Sequence, residues 1–250
     1  TRKIDHEPAF NWWVQHFLKK RDRIISLVKR RNTRYLKRTH KFGIEVPKTV
    51  PEALALDKKN GNTLWADAIA KELKNVRVAF KILPDGQPAP IGHQKIPCHM
   101  IFDVKMEDFR RKARLVAGGH RTEAPAAITY ASVVSRETVR IALTLAALND
   151  LEVKAGDVLN AYITAPITEK VWTVLGPEFG NEAGKSAIIV RALYGLKSSG
   201  AAFRAHLASF MRQMGYTSCK ADPDLWYNAE TRSGDGSRYY AYILCYVDDI

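Results

Sequence analysis

Near the start of the chain, apolar side chains recur at helical intervals: Phe10, Trp13, Val14, Phe17, Leu18, Ile24, Ile25 and Val28. Lys19, Lys20, Arg21, Arg23, Lys29, Arg30 and Arg31 fill much of the remainder, so the spacing predicts a basic amphipathic helix. Two readings of it stay open: a packed apolar stripe with solvated charges, or a surface for nucleic-acid phosphates or nuclear import. Residues 37–48 carry no period and read as a linker. Pro51 opens a short helix, and Asn62 or Thr63 stands where a second helix, carrying Trp65, Ile69 and Leu73, needs its cap. Residues 78–83, the turn Pro84-Asp85-Gly86-Gln87 and the β-branched and aromatic run over 91–104 read as a hairpin. Residues 112–117 continue it as a strand with basic residues alternating on one face.

Ser135 is placed to cap a helix over 136–148, apolar nearly all round and therefore expected to be buried. Residues 151–158 read as a strand in which Val153, Ala155 and Asp157 share a side, because side chains repeat every two residues. Ser198 or Ser199 begins an amphipathic helix with Phe203, Leu207, Phe210, Met211 and Met214, which Gly215 closes. The last strand, over 239–246, leads into Val247-Asp248-Asp249.

Charge changes the picture because it is uneven. The 39 Lys and Arg exceed the 26 Asp and Glu by 13, yet residues 1–50 hold 14 of the former against 4 of the latter. The last hundred residues sum to −1, so the positive field belongs to the N-terminal arm. No window of about 18 apolar residues occurs and the first residues do not read as a signal peptide, which argues against membrane spanning and secretion. Cys98, Cys219 and Cys245 are odd in number and widely spaced, which argues for a reducing compartment. His93, Cys98, His99 and His120 lack zinc-ligand spacing, and neither a phosphate-binding glycine loop nor a nucleophile signature is present.

Adjacent carboxylates after an apolar strand repel one another unless a cation neutralises them. Asp157 at one strand end and Asp248-Asp249 after another can converge on two Mg²⁺ ions about 3.5–4 Å apart, the arrangement that supports nucleotidyl transfer. Taken singly, each is also an ordinary turn residue or strand terminator.

Eight blocks follow in order. They are Trp65-Ala66-Asp67-Ala68-Ile69-Ala70-Lys71-Glu72, a stretch from Pro90-Ile91-Gly92 to Phe102-Asp103-Val104-Lys105, and Lys112-Ala113-Arg114-Leu115-Val116-Ala117. Next come Tyr130-Ala131-Ser132-Val133-Val134 with Glu137-Thr138-Val139-Arg140, then Asp157-Val158-Leu159-Asn160-Ala161-Tyr162 and Ala192-Leu193-Tyr194-Gly195-Leu196-Lys197. Lys220-Ala221-Asp222-Pro223-Asp224-Leu225 and Tyr246-Val247-Asp248-Asp249 complete the series. Together they resemble the reverse transcriptase of copia-type long-terminal-repeat retrotransposons over roughly residues 51–250.

The resemblance implies an α+β fold of fingers and palm: an arm over 1–50, a fingers-like region over 51–150 and a palm-like region over 151–250. The palm is expected to be an antiparallel sheet backed by helices 136–148 and 199–214. It implies that Asp157, Asp248 and Asp249 are catalytic and bind two Mg²⁺ ions, or Mn²⁺, with the Val158 carbonyl as a further ligand. It implies that Tyr162 is the aromatic gate against a ribose 2′-hydroxyl, that Lys112 and Arg114 hold the triphosphate, and that Gly195 and Lys197 line the nucleotide pocket. The implied partners are an RNA template, a DNA primer or template and deoxynucleoside triphosphates, with integrase upstream and ribonuclease H downstream in a polyprotein. The implied location is intracellular, in a cytoplasmic particle or the nucleus.

The chain departs from the pattern in places. Ala117-Gly118-Gly119 lacks the family's arginine, Ser198-Ser199-Gly200 replaces Q-x-P, and Phe203 stands for tryptophan. Thumb and ribonuclease H are absent, so the chain reads as an internal piece expected to be inactive alone. Two rivals remain: a catalytically inactive remnant that only binds nucleic acid through its basic arm by counterion release, and an RNA-directed RNA polymerase palm, which shares paired aspartates.

Overall fold

A computed structural model describes residues 40–122 and 129–250, with Arg23 and Ser26 in helical conformation. Lys19, Lys20, Arg21, Lys29, Arg30 and Arg31 lie outside the described residues. The first described pair, β1 (His40–Lys41) and β2 (Ile44–Glu45), makes a small hairpin where a linker was expected. Ile44 and Val46 pack against the main core, and that burial organises a stretch with too few apolar residues to show a period.

Two helices follow, α1 (Val50–Asn60) and α2 (Leu64–Val76). Thr49 caps α1 by accepting the Glu52 N–H. The start of α2 is satisfied partly as expected, with the Leu64 N–H on Asn62 Oδ1 at 3.3 Å, and partly from α1. The buried Asp57 of α1 accepts the N–H groups of Trp65 and Ala66 at 3.1 and 2.8 Å, while Thr63 donates its hydroxyl to Asp67. A carboxylate there also meets the positive end of the helix dipole.

Strand β3 (Phe80–Ile82) comes next, and β4 (Gln94–Lys95) and β5 (Cys98–Val104) divide the run that was read as one strand. The Pro84–Gln87 turn forms, with the Gln87 N–H on the Pro84 carbonyl, but it does not join paired strands. The true hairpin is β5 with β6 (Arg111–Ala117), in register from Cys98 opposite Ala117 to Val104 opposite Arg111. Strand β3 instead pairs with β8 (Ser186–Ile189), in a four-stranded sheet ordered β3-β8-β7-β4. Here β7 (Val171–Val174) is antiparallel to β8 and parallel to β4. These partners lie about a hundred residues downstream, which no local pattern reveals.

Met100, Phe102 and Val104 of β5 and Ala113, Leu115 and Ala117 of β6 turn inward with Trp65 and Ile69 of α2 to form the main core. Trp65 meets Phe102 edge to face at 5.6 Å, worth about 1 kcal/mol beyond the area buried.

The C-terminal half is built on the antiparallel sheet β11-β10-β9: β9 (Thr217–Ser218), β10 (Leu225–Thr231) and β11 (Arg238–Leu244). Helix α5 (Ser199–Gln213) backs it, with Met211 buried against Trp226 and Cys245. Gly215, at φ +87°, closes α5 as expected: Tyr216 N–H reaches Met211 O and Gly215 N–H reaches Arg212 O. A second small core joins Ala161, at the start of the short α4 (Ala161–Thr164), to Phe203 of α5.

Two expectations are corrected here. The preceding α3 (Arg136–Leu148), capped by Ser135 as predicted, is not buried. Only Ala142 and Ala146 are, while Ile141, Leu143 and Leu148 are 50–77% exposed. The helix is tied at its ends, Val134 N–H to Cys245 O and Arg232 to the carbonyls of Asn149 and Asp150, and two alanines bring little surface into its middle. Residues 151–156 form no strand. Their only ladder-like contacts are reciprocal hydrogen bonds between Gly156 and Ile250 and the bridge of Asp157 with Asp249, because β11 has already ended at Leu244.

Candidate active site

Strand alternation in β6 buries Ala113 and Leu115 and leaves Lys112 and Arg114 on the opposite face. That face borders a cavity of about 670 Å³. Asp157, Val158, Tyr194 and Asp248 line it as well, as do Asp67, Lys71 and Glu72 of α2. Carboxylates and cations far apart in the sequence thus share one concavity.

The aspartates are placed by backbone bonds. Val158 N–H reaches the Asp248 carbonyl at 2.8 Å, beside the Asp157–Asp249 bridge. Tyr246 and Asp249 exchange hydrogen bonds of 2.9 and 3.1 Å, making a tight turn with Val247 at φ +59°. A β-branched residue in that region is strained, so the surroundings must hold the turn. Asp222 and Asp224 supply part of that hold. Asp224 is buried, accepts from Ser132 and from Arg204 Nε at 2.7 Å, and takes the Cys245 N–H on its carbonyl one residue before the turn. Burial alone would raise the Asp222 carboxyl, but hydrogen bonds from Thr138, Ser135 and Asp224 hold it below its ordinary value.

The turn parts the two neighbouring aspartates. Asp248 borders the cavity, whereas Asp249 faces a groove along α3 with Tyr242, Leu244 and Ile250. Among the described residues no three His, Cys, Asp or Glu side chains come close enough together to hold a metal ion. The structure therefore brings together two of the three carboxylates singled out from the sequence. Asp157, Asp248 and the Val158 backbone, all bordering the cavity, are oxygen donors of the kind a hard divalent cation takes.

Aromatic rings extend from Arg114. The Arg114 guanidinium lies 4.2 Å from the centre of the Tyr194 ring, which stands 4.7 Å from Tyr162, itself 6.0 Å from Phe203. Burial raises the Tyr162 phenol and Asp248 adds to it, while Arg114 opposes. Burial likewise raises Tyr194, again against Arg114. Lys112 is pushed down, first by burial and then by the like charges of Arg114 and Lys105.

Gly195 and Lys197 do not border the cavity. Gly195, at φ +94°, lies against β6, where a Cβ would stand 2.1 Å from Ala117 O. Lys197 donates to the Thr122 carbonyl at 2.6 Å. Tyr162 borders a smaller cavity of about 200 Å³ beneath the turn with Phe203, Arg204 and Val247. Arg23, the one described member of the basic arm's candidates, is exposed. Sequence reasoning did not single out Tyr194, Asp67 or Glu72. The signal was present for the helix: Leu64, Asp67, Ala68, Lys71, Glu72 and Asn75 repeat at helical spacing and all border the cavity.

The sequence profile of the reverse transcriptase (RNA-dependent DNA polymerase) family matches residues 87–250, and the chain belongs to that family. Its mixed α and β architecture of small sheets and helices is consistent with such a domain. The chain is 26% identical to the retrovirus-related Pol polyprotein from transposon RE2 of Arabidopsis thaliana over 231 residues, 89% of this chain and 15% of that protein. It is 27% identical over 212 residues to the RE1 polyprotein of the same plant, covering 82% and 14%, and 26% over 215 residues to that of transposon TNT 1-94 of Nicotiana tabacum, covering 82% and 15%. The homologues are Pol polyproteins of copia-type transposons. The chain spans about one-seventh of their length. No helix among the described residues is long and apolar enough to cross a membrane.

Proposed function

We propose that this chain is the fingers and palm of an RNA-directed DNA polymerase, acting within a longer polyprotein and inactive when isolated. The primer 3′-oxygen attacks the α-phosphorus of a deoxynucleoside triphosphate, the bond from that phosphorus to the bridging oxygen breaks, pyrophosphate leaves, and the hydroxyl proton passes to solvent. The observation that carries this reading is the shared cavity, bordered by Asp157 and Asp248 and also by Lys112 and Arg114. Residues 51–150 serve as fingers and 151–250 as palm.

Lys112 and Arg114 hold the phosphates by charge-assisted hydrogen bonds, and the Tyr194 ring keeps the guanidinium aimed. Asp157, Asp248 and the Val158 backbone would hold Mg²⁺, or Mn²⁺, with a second ion expected by family resemblance. The cation lowers the cost of ionising the 3′-hydroxyl and of building charge on the phosphoryl oxygens. RNA or DNA serves as template and DNA as primer, integrase and ribonuclease H are the neighbouring domains, and the setting is an intracellular particle or the nucleus.

Tyr162, packed between Tyr194 and Phe203, acts as the gate that disfavours a 2′-hydroxyl. Tyr162→Ala should raise ribonucleotide over deoxynucleotide incorporation by on the order of tenfold or more, the scale of a steric term of 1–3 kcal/mol. Competing primer extension with matched ATP and dATP measures it, and an unchanged ratio would remove Tyr162 from this role.

A further inference from the structure

The α2 face carries a carboxylate whose charge the reading above does not use. Glu72 Oε1 accepts the Leu115 backbone N–H at 2.9 Å, which fixes the side chain against β6 between Lys112, Arg114 and the helix. Glu72 borders the same cavity as both cations and interacts electrostatically with both. Yet among the described residues neither Lys112 nor Arg114 has an acidic partner within 4.0 Å. The other acids at the cavity are otherwise engaged: Asp67 with Thr63, Asp108 with Arg110, and Asp157 and Asp248 in the metal role proposed above.

Accepting one backbone N–H needs an oxygen but no charge, and a glutamine would serve. Half-buried carboxylates are costly, and burial does raise the Glu72 carboxyl. A carboxyl group held there, where an amide would serve, is what calls for a function. A fixed anion beside a phosphate-binding pair repels the phosphates that the pair attracts, and does so most strongly out of bulk solvent.

Building on the nucleotide-binding reading, we propose that Glu72 is a positioning residue whose negative charge limits how tightly Lys112 and Arg114 hold a triphosphate or its pyrophosphate product. A cradle of uncompensated cations retains pyrophosphate after each addition. The Glu72 carboxylate, held by the Leu115 N–H near Lys112 and Arg114, weakens their grip on the leaving anion.

The test is equilibrium titration of the 250-residue chain with inorganic pyrophosphate. Glu72→Gln, which keeps an acceptor for Leu115 N–H, should tighten binding by on the order of tenfold at low ionic strength, with the gain shrinking as salt rises. A second variant, Asn75→Asp, adds a carboxylate one turn along the same face and should weaken binding severalfold, so an unstable glutamine variant does not remove the test. Unchanged or weaker binding by a folded Glu72→Gln chain, or no weakening by Asn75→Asp, overturns the proposal. Lys112→Ala separates the two levels. If it weakens binding while Glu72→Gln changes nothing, only the Glu72 role falls. If the parent chain binds no pyrophosphate and Lys112→Ala and Arg114→Ala change nothing, the nucleotide-binding reading falls and this proposal with it.

Discussion

Asp157→Asn and Asp248→Asn should each lower deoxynucleotide addition by about a thousandfold or more, measured as primer extension by a longer chain that carries thumb and ribonuclease H regions. The substitution is nearly isosteric, and Asp157 is exposed, so its loss leaves little packing to repair. What it removes is one of the two carboxylates proposed to hold the cation. Stabilisation by a bound cation is worth several kcal/mol in the transition state, and each 1.36 kcal/mol is about tenfold in rate. Template binding should not weaken, because the carboxylates repel phosphates rather than grip them. Loss of extension with binding intact separates catalysis from the binding-only remnant. Extension that survives either change defeats the assignment of these carboxylates.

Gly195→Ala should be among the most damaging single substitutions to stability. At φ +94° an L side chain is strained, at roughly 1–2 kcal/mol, and the new Cβ would stand 2.1 Å from Ala117 O and 2.7 Å from Val116 Cγ1. Overpacking adds about 1–3 kcal/mol, so about 2–5 kcal/mol in all is expected from chemical denaturation. The contact also supports the site, because Ala117 N–H bonds the Tyr194 carbonyl at 2.8 Å and so sets the ring that Arg114 stacks on. Gly215→Ala is the internal comparison. Its φ is +87°, but the nearest atom to a Cβ is 3.7 Å away on the Asn228 side chain, so only the backbone strain is expected. Equal losses at both positions would show that the approach to β6 carries no weight.

Much of the site was legible because its parts are local. Alternation over 112–117 put Lys112 and Arg114 on one face, and helical spacing defined α2 and α5. The apparent strand at 151–158 was not realised, because a strand needs an edge to pair with and only residues 248–250 are available there. The apolar α3 was read as buried, but apolarity states what burial would favour, not what surface lies within reach. The stack of Arg114, Tyr194 and Tyr162 joins residues as many as 80 positions apart, beyond any periodicity. Asp248 and Asp249 diverge at a turn in which Val247 takes a positive φ, a conformation that no side-chain pattern announces.

The central claim is that the cavity bordered by Asp157, Asp248, Lys112 and Arg114 takes a nucleotide with a divalent cation. Titration of the 250-residue chain with dTTP, with and without Mn²⁺, tests it most directly. Binding is expected to tighten markedly with Mn²⁺, and that gain to be lost in the Asp157→Asn, Asp248→Asn double variant. Binding that is indifferent to the cation and survives the double variant would contradict it.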